Sequence, residues 1–240
     1  MLAVGVASGI GVWMFYVGVE PYVRRIWPES IISWTRLIQG SVTDPLVGQS
    51  LLVGATLGAW ALVIIFVNRK VPGLLGMPPA PPWVDARLGV GVLDGSRQAV
   101  SHLIHCGLMG VQTAMILLVE AVLLKLLVRR TWVALLILGA AQTMLWLVAS
   151  PVLTEWSWGV FALALPLVSL LIAITLFAMV RYGVLAVMAG AAVFTALGSM
   201  PITFRADTWY AGAVLLGMLF VLAVPLYGAG TAVAGRTKLA

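Results

Sequence analysis

A chain of 240 residues that is 62% hydrophobic and only 9% charged, with a mean hydropathy of +1.10, has too little polar surface to cover a soluble domain of its size. The net charge of +6 does not point to nucleic acid, because the Lys and Arg residues gather at the ends of apolar runs, where they meet lipid headgroups. The single cysteine, Cys106, excludes an internal disulfide.

Crossing the hydrocarbon core takes about 20 apolar residues per helix, and seven such runs occur, whereas a closed barrel would show short alternating segments. The fold class predicted is therefore all-α: one polytopic transmembrane helical bundle over residues 1–240, with about seven spanning helices and one interfacial amphipathic helix. The first run, 2–19, has no basic segment before it and leads into Arg24 and Arg25, the flank of a retained helix and not of a cleaved signal. Gly5 and Gly9 have the GxxxG spacing that lets helices approach, although glycine is common in membrane helices generally.

Pro21 and Pro28 are then expected to break helix. Residues 29–39 read as a short helix lying in the membrane plane, with Ile31, Ile32, Trp34, Leu37 and Ile38 on one side and Ser33, Arg36 and Gln39 on the other. Asp44-Pro45 reads as an N-cap with Pro at the first helical position, opening a helix over 46–67 that carries Gly54 and Gly58 at GxxxG spacing. Asn68-Arg69-Lys70 should end it, and the five prolines between 72 and 82 predict a loop over 71–95. Gly89, Gly91 and Gly95 have the wrong spacing for a phosphate-binding loop, and no strand precedes them.

Residues 96–128 are too many for one perpendicular crossing and are expected to divide into an interfacial turn near 98–105 and a spanning helix over 107–128. The remaining helices are predicted at 132–149, 156–180 with a kink at Pro166, 183–198, and 208–227, capped by Asp207 and loosened at its far end by Pro225. With seven crossings, Arg24, Arg25, Arg36, Lys125, Arg129, Arg130, Arg181, Arg236 and Lys238 fall on one side of the membrane. Only Arg69, Lys70, Arg87, Arg97 and Arg205 fall on the other, so the excess places segment 20–44 in the cytosol.

Several polar residues stand out. Glu120 lies roughly 13 Å inside the membrane, counting back from Arg129 at 1.5 Å per residue, and an ionisable group at that depth is a functional candidate by default. Gln112 lies two turns earlier, and Gln142 and Thr143 on the next helix are placed to reach across. Such a carboxylate serves either a small transporter or channel or, as a hydrogen-bonded group, the seam between two helices. No inverted repeat between the halves supports transport. Arg24, Arg25, Trp27, Trp34 and Arg36 offer a surface to a soluble partner or to anionic lipid, and they serve equally as topology control and interface anchors.

His102, His105 and Cys106 share a helix face, but without a nearby acid they make an incomplete metal set, so no metal and no cofactor is expected. Ser199 and Ser150 stand at helix ends with no base in sequence reach, and no protease or acyltransferase signature is present.

The run EPYVRRIWPESIISWTRLIQGSVTDPLVGQSLLVGA, with Arg181-Tyr182-Gly183-Val184-Leu185-Ala186, Pro201-Ile202-Thr203, Trp209-Tyr210-Ala211-Gly212 and Tyr227 through Arg236, resembles the membrane-integral C-terminal region of a group of bacterial serine/threonine protein kinases best known from Acidobacteria. Gln49 stands where that pattern usually has arginine. The resemblance implies a multi-pass protein of the bacterial inner membrane that serves a signalling system, with the bilayer and a kinase domain or other signalling protein as partners. The kinase itself does not carry over: the chain has no correctly spaced glycine-rich loop, no strand lysine, no catalytic-loop Asp with Asn and no Asp-Phe-Gly.

Overall fold

The computed structural model describes residues 2–76, 95–149, 158–200 and 208–237, and every regular element among them is helical. They are α1 (Leu2–Ile26), α2 (Ile32–Ile38), α3 (Pro45–Leu74), α4 (Ser96–Val128), α5 (Thr131–Ala149), α6 (Trp158–Tyr182), α7 (Val184–Ser199) and α8 (Ala211–Thr237), with a 3-10 turn at Pro28–Ile31. Five of them, α3 to α6 and α8, are long and apolar enough to cross a membrane. The chain is a helical membrane protein.

Helix α7 is the hub. Ten of its sixteen residues are buried, on every side, and it packs along both α3 and α4. Residues with almost no side chain make this possible: a Cβ at Gly54 would overlap the Ala186 carbonyl oxygen, one at Gly58 that of Gly190, and one at Gly110 that of Met188. Lipid tails supply no hydrophobic drive between membrane helices, so close van der Waals contact of this kind carries the association. The Gly54-Gly58 pair is thus a contact surface. Gly9 in α1 has nothing within 4 Å of an added Cβ among the described residues.

The contacts also fix directions. Ser50, Gly54, Gly58 and Leu62 of α3 meet Tyr182, Ala186, Gly190 and Gly198 in rising order, so α3 and α7 run parallel. In α4, Gly110 meets Met188 and Ala192 while His102 meets Ser199, so α4 is antiparallel to α7. Gly48 lies against Gly228 and Thr231, which brings the later part of α8 back to the start of α3. Among the described residues helix α5 packs on α4 and α6, and its Trp132, Leu136, Met144 and Leu145 stay exposed, as lipid-facing residues do.

Several boundaries differ from the sequence expectation. Helix α1 continues through Pro21 to Ile26, which places Arg24 one turn beyond Glu20 and buries Val23 in the main core. Helix α3 runs through Asn68-Arg69-Lys70 and Pro72 to Leu74, because the buried Pro72 ring sits in the last turn. The expected division of 96–128 does not occur: α4 is one 33-residue helix whose first turns are held by buried Ala99 and His102. Helix α8 passes Pro225 and continues to Thr237, since Gly228 and Thr231 pack on α3 beyond the proline, and its start moves from 208 to Ala211. Residues 77–94 of the expected 71–95 loop, the Asp207 cap and the start of the helix expected from 156 lie outside the described residues.

Overfilling the α3–α7 seam is expected to destabilise the bundle by about 3 kcal/mol, because the neighbours are backbone and cannot rotate aside. Gly54→Leu and Gly58→Leu should each lower the unfolding midpoint in detergent, and Gly9→Leu should leave it in place.

Candidate functional site

Among the described residues, side-chain hydrogen bonds between elements gather in three places. The first is a head at one end of the bundle, formed by segment 20–49 against the α6–α7 turn. Gly183 makes that turn with φ +87°, a conformation that side chains rarely adopt, and a Cβ there would stand 2.7 Å from the Ser30 carbonyl oxygen. Two serines accordingly face inward: Ser30 and Ser33 are 2% and 5% exposed, while Ile32 and Ile38 are 39% and 57% exposed. This corrects the amphipathic reading of 29–39. Ile31, Trp34 and Leu37 do face the core, but Ser33 lies on the packed side and Ile32 and Ile38 outside, because only small residues fit against the turn.

Hydrogen bonds secure the head. Ser30 donates to the Trp27 carbonyl at 2.8 Å, and Ser50 of α3 donates to the Tyr182 carbonyl at 2.9 Å. The Asp44 carboxylate accepts from Leu46 N at 2.8 Å and pairs with Arg36, so the cap of α3 also holds the end of α2. Tyr227 of α8 donates to the Val42 carbonyl at 2.8 Å.

The sequence candidates here separate. Arg24 pairs with Glu20 at 2.6 Å, and that carboxylate raises the guanidinium above its ordinary range; Arg25 is exposed. Trp34 meets Tyr16 edge-on, with ring centroids 6.5 Å apart, and its Nε1 is buried without a hydrogen-bond partner among the described residues. Trp27 lies under Lys125, whose Nζ is 4.3 Å from the ring centroid and donates to the Ile26 carbonyl at 3.2 Å. Sequence reasoning counted Lys125 only as a surface charge. Its position one turn before the Arg129-Arg130 stop was the available signal, but its partner is 99 residues away.

The second place is the α4–α5 seam. Gln142 Nε2 donates to Glu120 Oε2 at 2.5 Å, with both residues partly buried. Thr143 is buried next to it, whereas Gln112 stands about 12 Å along the α4 axis and takes no part in the pair. A carboxyl group bonded across a helix seam works as adhesive between helices.

The third place is the opposite end of α4. His102 Nε2 lies 2.6 Å from Ser199 Oγ and 3.4 Å from Cys106 Sγ, with His102 and Cys106 buried. Ser199 is thus not without a histidine, contrary to the sequence expectation, because α7 brings it across from 97 residues away. Ser199 donates its own proton to the Thr195 carbonyl, so His102 Nε2 carries a hydrogen and donates to Ser199. A serine committed in this way is a cap for α7 and not an activated nucleophile, and a helix C-terminus presents carbonyls where an oxyanion would need N–H donors. His105 lies with its ring centroid 6.5 Å from that of His102, and no group of three His, Cys, Asp or Glu suited to a metal occurs among the described residues.

No family model, curated protein or solved structure matches the chain.

Removing the clasp between α4 and α7 is expected to cost about 1 kcal/mol in Ser199→Ala, and at least as much in His102→Leu, which leaves the partly buried Ser199 oxygen without this donor. Unfolding midpoints in detergent measure both. Glu120→Gln keeps an amide partner for Gln142 and should change stability by less than about 1 kcal/mol.

Proposed function

We infer that this chain is a non-catalytic membrane module that anchors or senses for a signalling system, related to the membrane regions of bacterial serine/threonine kinases. The observation that carries the reading is the meeting of stretches on which that resemblance rests. Segment 20–49, the Arg181–Ala186 turn and the α8 stretch from Tyr227 lie against one another at one end of the bundle, joined through Gly183, Ser50, Gly48 and Tyr227. Residues far apart in sequence form one head there, the surface a kinase domain or other signalling partner would engage.

The head lies on the cytosolic side of a bacterial inner membrane in this reading, and the chain crosses seven times, α1 and α7 adding to the five long helices. Helix α7 has 16 residues, about 24 Å, less than the roughly 30 Å of a hydrocarbon core. Sheathed by α3 and α4, its far end at Ser199 need not reach the headgroups. Seven alternating crossings return the end of α8 to the head, in keeping with the Tyr227–Val42 hydrogen bond. Glu120, bonded to Gln142 in a seam, serves packing and not an ion path.

A serine/threonine kinase domain encoded next to or fused with this chain is expected, and it should enter the membrane fraction only when the chain is present. A kinase that fractionates alike without the chain would remove most of the support. For topology, Leu75→Cys should react with an impermeant maleimide in intact cells and Ser41→Cys only after lysis; reaction of both from one side ends the seven-crossing arrangement. Glu120→Gln should leave proton flux into reconstituted vesicles unchanged, and a changed flux would favour a transporter.

A further inference from the structure

Between the end of α1 and α2 lies an open groove of about 340 Å³ whose polar lining the packing of the head leaves partly unused. Arg24, Thr35, Arg36 and Gln39 line it, and Ile31 and Ile32 supply an apolar wall. A carboxylate holds each guanidinium by one edge: Arg24 gives Nε and Nη2 to Glu20, and Arg36 gives Nη1 to Asp44. Nη1 of Arg24, and Nε and Nη2 of Arg36, are not spent on those carboxylates. The two arginine side chains are 55% and 43% exposed, and Arg24 also meets Tyr16.

Planar donors fixed in advance beside an apolar wall suit a phosphate attached to something apolar. We propose that this groove binds the phosphate of an anionic phospholipid, whose acyl chains run along the outward isoleucines Ile32 and Ile38. Each arginine–carboxylate pair is neutral, so the net attraction for an anion comes from exposed arginines at this end of the bundle: Arg25, and Arg129 and Arg130, one turn beyond the Lys125 that reaches the Ile26 carbonyl. None of the three makes an ion pair among the described residues. The orienting carboxylates give the site its geometry, and the positive end of the bundle gives it its field.

The site rests on the reading that the head lies at headgroup level, and the test separates the two. The full chain is reconstituted in nanodiscs holding equal amounts of phosphatidylglycerol and phosphatidylcholine, then extracted into detergent, and retained lipid is counted by native mass spectrometry. Phosphatidylglycerol should be retained over phosphatidylcholine by about tenfold, and Arg24→Gln and Arg36→Gln should each reduce that ratio several-fold. Glu20→Gln should reduce it too, although it removes a negative charge, because Arg24 loses the group that orients it.

Equal retention of the two lipids, or a higher ratio in Glu20→Gln, overturns the site. Displacement of the lipid by inorganic phosphate assigns the groove to a soluble anion instead. A fluorophore on Gln39→Cys, with the buried Cys106 unlabelled, reports depth through quenching by headgroup-level spin-labelled lipid. Quenching without lipid preference removes the site alone, and absence of quenching removes the placement as well.

Discussion

The contact of α3 with α7, backbone against backbone, is the constraint on which the rest of the bundle depends. At Gly54 and Gly58 one helix lies so close to the other that a single added carbon would enter a carbonyl oxygen. Because α7 is buried on all sides, every element that touches it is placed by it: α4 through Gly110, α6 through the one-residue turn at Gly183, and α3 along its length. In lipid, where burial of apolar surface between helices gains little, this geometry substitutes for a hydrophobic core.

The head follows from the same geometry. The turn that starts α7 has no side chain, so the segment covering it must present small groups, and Ser30 and Ser33 do so at the expense of a simple amphipathic pattern. Ile32 and Ile38 are displaced outward, Ile32 into the groove that Arg24 and Arg36 also line. An apolar residue facing outward at the end of a membrane bundle is in a favourable place, so the exchange carries little cost. Lys125 and Asp44 then tie the head to α4 and α3 through a carbonyl, an aromatic face and a guanidinium.

Two polar groups deeper in the bundle are consumed in pairs. Glu120 accepts from an amide of the neighbouring helix, and His102 donates to a hydroxyl of α7, with Cys106 beside it. An unsatisfied polar group in hydrocarbon costs several kcal/mol, so each of these groups acts as a positional lock between two helices. The same pairing removes the reactivity that each residue would have alone: the carboxyl group is bonded in a seam, and the serine proton is already given to a carbonyl.

The all-helical membrane character was legible from composition and run length, because both follow from the solvent that the chain must face. Spacing marked Gly54 and Gly58 no more strongly than Gly5 and Gly9, whereas the reach of Gln142 toward Glu120 was legible from the position of both at mid-run. The proline boundaries were not legible: Pro21, Pro72 and Pro225 all lie inside helices whose neighbours hold them in place. Which face of α2 is buried, and that Ser199 has a histidine, depended on where α7 lies, and no local pattern carries that information. Helix periodicity and solvent preference are properties of neighbouring residues along the chain, so sequence alone determined the class and the elements. The head and both polar locks join residues from 22 to 185 positions apart, and only the close packing of α7 between α3 and α4 decided them.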